Sequence, residues 1–438
     1  MKRDIIFELK AWKDNKRRKP LLLTGVRQCG KTYILKQFGE EEFSDVLYIN
    51  FESSSKYAGI FEYDFDVNRI VKELELLENR KIEPGKTLVI FDEIQECPKA
   101  ITSLKYFCEN MRELHVVCAG SLLGVALKSE NISFPVGKVN RMQMYPMTFK
   151  EFVQACGEEQ YLELLEGWSV EREIPEVYFD RMKRLLKEYY VIGGMPEVVQ
   201  EWIESHDFTV IEEIQDEILA GYADDFSKHA PVKEIEKIRM IWDSIPIQLA
   251  KENNKFVFSH VKKGKRAHEL EAALQWLKNA GLITMLELVS DVQVPLSANA
   301  DSTYFKVYMS DVGLLCRRSG LTYETILFDD ERFINYKGAL TENYVLNELR
   351  TQYETIFFWR SGNTAEVDFI LEDRNKVIPI EVKAADRTQA KSYKQFCKKY
   401  QPEVGIKASL KNIAVNDCEG TKTFSYPLFL LWDMKRLH

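Results

Sequence analysis

The chain lacks the marks of several protein classes. Its eight cysteines never form a CxxC pair, which argues against a disulfide framework or zinc site and fits reduced thiols in a cytosol. No apolar run is long enough to cross a bilayer; the longest, Val116 to Leu127, is interrupted by two glycines. The first twenty residues are heavily charged, so no signal peptide and no membrane partner are expected, and the chain reads as soluble and cytoplasmic. Net positive charge is missing too. A formal charge of −8 gives no global attraction to nucleic acid, so any such binding must come from a local patch. Apolar content is not scarce: 45% hydrophobic and 12% aromatic residues supply ample core, and 438 residues predict three or four modules.

Residues Leu21 to Gln37 organise the rest. An apolar run, Leu21-Leu22-Leu23, leads into Gly25-Val26-Arg27-Gln28-Cys29-Gly30-Lys31-Thr32-Tyr33 and a helix-forming stretch. Glycine, four residues, glycine, lysine and threonine make the phosphate-binding loop pattern. Gly25 and Gly30 permit a close backbone approach, and the loop amides with the helix N-terminus point at a polyphosphate. Lys31 supplies positive charge to the β- and γ-phosphates, and the Thr32 hydroxyl ligates magnesium (Mg2+). ATP with Mg2+ is the expected ligand. The basic cluster Lys16 to Lys19 just before the loop fits either a nucleotide contact or a solvated face.

Further apolar runs predict buried strands at Val46 to Phe51, Leu88 to Phe91 and Val116 to Ala119, with a helix over Val67 to Asn79. The second of these runs ends in Asp92-Glu93. In an open parallel sheet ligands bind beyond the carboxyl ends of the strands, which gives Asp92 the magnesium and Glu93 the attacking water as general base. Ser121, at the tip of the third, is positioned for the γ-phosphate or the water. Alternating strands and helices predict a doubly wound parallel sheet. Lys138 and Arg141 offer a cation to a γ-phosphate, in their own or a neighbouring subunit, or simply surface salt bridges.

The last hundred residues hold a second constellation. A helix over Gly338 to Arg350 carries Glu342. Glu366 to Leu371 alternates as a half-buried strand, Asp373-Arg374-Asn375 supplies a turn, and Val377 to Lys383 returns. With Arg374-Asn375 as the loop, Asp368 faces Glu381 and Glu366 faces Lys383. Opposed carboxylates are destabilising unless a cation lies between them. A divalent metal, Mg2+ or Mn2+, held by Glu342, Asp368 and Glu381 is the expected cation. Two carboxylates with Lys383 resemble the PD-(D/E)XK nuclease constellation, which implies catalytic roles for Asp368, Glu381 and Lys383, with Lys391 and Lys394 near phosphate. A solvated hairpin with a Glu366–Lys383 ion pair, or a nuclease fold kept for binding, fits the same residues.

GVRQCGKT, FDEIQECP, AGSLLG and MYPMTFKEF, followed by GGMPEVV, SIPIQLAKENNKF, ALQWLKNAGLI, FKVYMSDVGLL, GALTENYVLNEL and EVDFI…IPIEVKA, carry a wider resemblance. Over nearly its whole length the chain is similar to a family of prokaryotic AAA-type ATPases whose C-terminal half is catalogued as a domain of unknown function. The family usually has Gly-Arg where this chain has Gly137-Lys138, which leaves Arg141 as a substitute arginine finger. The expected fold is α/β: a P-loop AAA-type core with its parallel sheet (1–164), a helical lid (165–228), a winged-helix-like domain (229–325) and a C-terminal α/β restriction-endonuclease-like domain (326–438). In the third segment Lys262 to Arg266 and the helix after it face DNA or dock a protein; Glu269 and Glu271 argue against DNA. The implied function is a Mg-dependent ATPase coupled to a nuclease-like domain acting on nucleic acid. The alternative is a nucleotide-switched protein that docks a protein partner or a second copy of itself.

Overall fold

Apolar runs flanked by polar turn residues become the strands of two sheets. The structure is a computed structural model; it describes residues 1–437 except 55, 122, 127–133, 252–254, 263–265, 328–333, 363–364 and 384–390, with 334 and 335 by backbone alone. Two compact units result: Met1–Pro146 with Asn279–Leu282, and Met147–Lys278 with Ile283–His438. The first division thus falls after Pro146 rather than residue 164, and the expected boundaries at 228 and 325 lie inside the second unit.

In the first unit β1 (Leu21–Thr24), β2 (Asp45–Asn50), β3 (Thr87–Asp92), β4 (His115–Ala119) and β5 (Asn140–Gln143) form a sheet in the order β2-β3-β4-β1-β5. All four pairings are parallel. β3 is buried along its whole length, as a central strand covered on both faces must be. Phe91 sits against Phe51, Phe61 and Phe107, with ring centroids 5.6–6.3 Å apart and steeply inclined. Truncating a fully buried phenylalanine in such a core costs about 3–5 kcal/mol. This packing fixes the end of β3, where Asp92 and Glu93 emerge.

The second unit combines helices with an eight-stranded mixed sheet. Its strands are β6 (Ile283–Val289), β7 (Ala300–Met309), β8 (Ile356–Ser361), β9 (Ala365–Asp373), β10 (Lys376–Lys383), β11 (Val404–Ser409), β12 (Ala414–Cys418) and β13 (Thr421–Pro427), in the order β12-β13-β11-β10-β9-β8-β6-β7. The helix expected after the basic link is present as Ala267–Asn279, and another, Ile235–Leu249, precedes it. The expected wing strands, however, are not a separate wing. β6 pairs antiparallel with β7 and parallel with β8, so the hairpin forms one edge of the C-terminal sheet. Residues 263–265 of the basic link lie outside the described residues. Glu269 accepts from the Arg266 amide at 2.9 Å, a helix-capping role that accounts for a carboxylate at this place.

Several family-like motifs are structural cement. The helix Glu176–Ile192 ends at Gly193 (φ 76°), and the Gly194 amide donates to Asp311 Oδ2 at 2.7 Å. A Cβ on Gly194 would stand 2.0 Å from the Met147 carbonyl oxygen, so GGMP, SDVG and Met147 meet at one tight node.

Candidate functional site

The phosphate-loop residues converge as their spacing predicts. A Cβ on Gly25 would lie 2.4 Å from the Met144 carbonyl oxygen, and Gly30 has φ 94° at the N-terminus of the helix Lys31–Glu42. Gln28 holds φ 65°, a conformation that side chains rarely take and that functional loops retain. Arg27, Gln28 and Tyr33 are exposed, while Val26 and Cys29 are buried. Lys31 is buried and its Nζ donates to the carbonyls of Gly25 and Val26, both at 2.9 Å. Arg3 braces the loop from outside, donating to Cys29 O at 3.0 Å and Tyr145 O at 2.7 Å. Gly281 lies against it, where a Cβ would stand 3.4 Å from Val26 N.

At the end of β3, Asp92 Oδ2 accepts from the Thr32 and Tyr48 hydroxyls, both at 2.8 Å, and Oδ1 accepts from the Glu93 amide at 3.0 Å. Burial, with Asp92 adding to it, pushes the Tyr48 phenol up to about 12, so Tyr48 stays a donor at neutral pH. Glu93 has φ 48°, which turns its carboxylate away from the strand. Its Oε2 accepts from Gln95 Nε2 at 2.5 Å, from Ser121 N at 3.3 Å and from Ser121 Oγ at 3.4 Å. Thr32 and Asp92 supply the hard oxygen donors that Mg2+ prefers.

The second constellation also assembles, with a difference. β9 and β10 pair through the expected turn: Arg374 and Asn375 take φ 47° and 65°, and the register runs from Lys376–Asp373 to Ile380–Phe369. Asp368 Oδ2 accepts from the Val382 amide at 2.7 Å. Burial first, then Glu381 and Glu342, holds the Asp368 carboxyl well above the usual range. Burial also raises Glu381, against the pull of Lys383, whose Nζ is 2.6 Å from Glu381 Oε1. Glu381 Oε2 is buried with no partner. Glu342, on the helix Ile334–Leu349, accepts from the Tyr308 hydroxyl at 2.8 Å.

The cation beside these carboxylates is a lysine. Lys306, 1% exposed on β7, places Nζ 2.6 Å from Glu366 Oε1 and 3.7 Å from Glu342 Oε2. Burial pulls the Lys306 ammonium down, but Glu342, Glu366 and Asp368 outweigh it and the net shift is upward. β7 and β9 are not neighbours in the sheet, yet Lys306 on one reaches Glu366 on the other. Among the described residues, no three His, Cys, Asp or Glu side chains are grouped to hold a metal ion. A second metal site at Glu342, Asp368 and Glu381 is thus not shown, and the cation in contact with the cluster is Lys306. Nor is the Glu366–Lys383 pair formed, since each of these residues takes another partner.

Residues 17–153 match the family described as an AAA domain. The chain carries an AAA-type P-loop ATPase domain. Residues 183–325 and 337–429 match two domains of unknown function, DUF8612 and DUF4143. No curated protein matches the chain. Among solved structures it is similar to the Walker-type ATPase paby2304 of Pyrococcus abyssi, with 16% identity over 72% of this chain and 94% of that one, at a TM-score of 0.44. The ORC2 protein of Aeropyrum pernix is similar at 12% identity over 76% and 95%, with a TM-score of 0.35. The ORC1 protein of the same organism, solved with DNA, matches at 13% over 72% and 90%, with a TM-score of 0.29. No helix among the described residues is long and apolar enough to cross a membrane.

The ATPase domain gathers Lys31, Thr32, Asp92, Glu93 and Ser121, but not Lys138 or Arg141. Lys138 pairs with Glu109 at 2.8 Å on the surface. Arg141 lies on β5 opposite Leu22, exposed, with its guanidinium 4.5 Å from the Phe134 ring centre. Of the basic cluster, Lys16 and Arg17 are exposed and Arg18 donates to the Glu113 carbonyl. Lys391 and Lys394 open the helix Lys391–Tyr400, with Lys394 3.0 Å from Glu419. Sequence reasoning missed Arg3, Tyr48, Gln95, Lys306 and Tyr308. Only Lys306 carried a signal, as a lone charge inside the apolar strand FKVYM.

Proposed function

We propose that the first unit hydrolyses ATP with Mg2+ and that its cycle drives the second unit, a restriction-endonuclease-like region, on nucleic acid. The observation that supports this best is the convergence of Lys31, Thr32 and Asp92 with a Glu93 held by neutral donors. On this reading Lys31 exchanges its two carbonyls for the β- and γ-phosphates, and Thr32 and Asp92 hold the metal. Bound Mg2+ neutralises phosphate charge. Glu93, aimed by Gln95 and Ser121, takes the proton of the attacking water. Arg141 and Lys138 stand apart from the loop in this chain, so an arginine finger from them is proposed to act on a neighbouring copy.

The test is ATP turnover with and without single- and double-stranded DNA. Lys31→Ala loses ATP affinity, whereas Glu93→Gln binds ATP and turns it over at least about a hundredfold more slowly. Parent-rate hydrolysis by Glu93→Gln removes Glu93 from this role. In the same assay, alanine at both Lys138 and Arg141 slows turnover with affinity retained, or the finger is discarded.

The pairing of Lys306 with Glu366 favours a second reading, in which the ATP state controls docking and the C-terminal region is inert. DNA-stimulated turnover with manganese-dependent cleavage supports the first reading. Turnover indifferent to DNA, with no cleavage, supports the second.

A further inference from the structure

We infer that Lys306 is the built-in counterion of the C-terminal carboxylate cluster, and that a divalent cation enters only by displacing it. This rests on reading the cluster as derived from a metal site.

An ammonium taken from water is stable only when tightly paired, and a lysine this deeply buried is rare. Lys306 meets that demand with Glu366 at 2.6 Å and Glu342 at 3.7 Å. The surroundings are built for it. Tyr308, two residues along the same strand, fixes Glu342, and the Val382 amide fixes Asp368. The nearest other lysine, Lys383, is committed to Glu381. Formally, Glu342, Glu366, Asp368 and Glu381 face Lys306 and Lys383, which leaves two negative charges in excess. Glu381 Oε2 is an acceptor with nothing to accept from. The carboxylates thus outnumber the ammonium groups, and Lys306 Nζ already holds the oxygens of Glu366 and Glu342. Two cations cannot share those oxygens at short range, because their repulsion there is strong and poorly screened. Metal and Lys306 must therefore compete.

The experiment uses the full chain without nucleotide, titrated with Mn2+ alone while bound metal and melting temperature are followed. Lys306→Met removes the charge at similar length, and Lys306→Gln keeps a donor for Glu366. Both should bind Mn2+ at least about tenfold more tightly than the parent, a difference of ~1.4 kcal/mol. Asp368→Asn added to either should abolish the gain and so place the metal at this cluster. A variant that melts early without metal but regains its transition in Mn2+ also supports competition. Variants that bind Mn2+ no better than a metal-binding parent overturn the lysine's role and leave the metal reading standing. Folded variants and parent that all ignore Mn2+ overturn both.

Discussion

At the end of β3, Asp92 and Glu93 are held by hydroxyl, amide and backbone donors, whereas across β7, β9 and β10 the carboxylates meet ammonium groups. Lys31 lies close by in the first unit but spends its charge on two carbonyls. Charges of opposite sign are thus kept apart at the first cluster and joined at the second. A site waiting for a polyphosphate and its metal must leave its lysine and its carboxylates uncommitted to one another. A site that has neutralised itself gains stability in the empty state but must break an ion pair before it takes a ligand.

Stability without ligand is the sharpest test of that contrast. Lys306→Met removes one partner of a buried pair and should cost about 3–5 kcal/mol. Lys31→Ala, predicted to lose ATP affinity, should cost less, about 1–2 kcal/mol, since the groups it strips of a partner are neutral carbonyls rather than a carboxylate. Denaturant unfolding of the parent and the two variants measures both. Equal losses would erase the distinction between the two clusters.

What could be read in advance follows from how local each signal is. The loop from Gly25 to Thr32 and the strand end Asp92-Glu93 are contiguous motifs, and they landed together. The turn at Arg374-Asn375 set the register of β9 and β10 because a two-residue loop leaves no freedom in pairing. For residues 229–325 an alternating pattern says that strands exist, not which sheet they join, and β6 and β7 join the C-terminal one. Lys306 was invisible as a partner for the same reason: it reaches Glu366 on a strand that is not its neighbour, 60 residues away along the chain. Carboxylates facing each other call for a cation, and a buried lysine meets that electrostatic demand as a metal would.

The second unit contains one carboxylate that breaks its own pattern. Glu348 is 1% exposed, accepts from the Phe149 amide at 2.8 Å, and has a second oxygen, Oε2, with no partner. Burial, with Glu151 adding to it, raises its carboxyl from 4.5 to about 8. The folded value lies above the unfolded one, so the native state binds the extra proton between them. Its contribution to stability is whole below about pH 4.5 and is lost as the pH rises through about 8. Glu348→Gln keeps an acceptor for Phe149 and cannot ionise. It should flatten this slope and stabilise the protein above pH 8 by a few kcal/mol, read from unfolding curves across that range. An unchanged slope would mean that Glu348 is already paired with a cation, as Glu366 on β9 is.

The smallest expected effect probes the neutral donors that set the first cluster apart. Gly120 takes no left-handed conformation, so alanine there introduces no backbone strain. It does introduce a collision: the new Cβ would stand 2.0 Å from Gln95 Oε1 and 3.4 Å from Leu123 Cβ. Leu123 is packed in the core, so the Gln95 side chain is the group that must give way. Glu93 then loses its shortest hydrogen bond and is left with the two longer ones from Ser121. Nothing in the loop or at Lys31 is touched, so ATP affinity should hold. A general base that is less well aimed should slow turnover by about tenfold, less than the loss of the base itself. Gln95→Ala removes the same donor without a clash and should match it. If both variants turn over at the parent rate, the Gln95 contact does not aim Glu93, and the two Ser121 bonds suffice to hold its carboxylate ready for water.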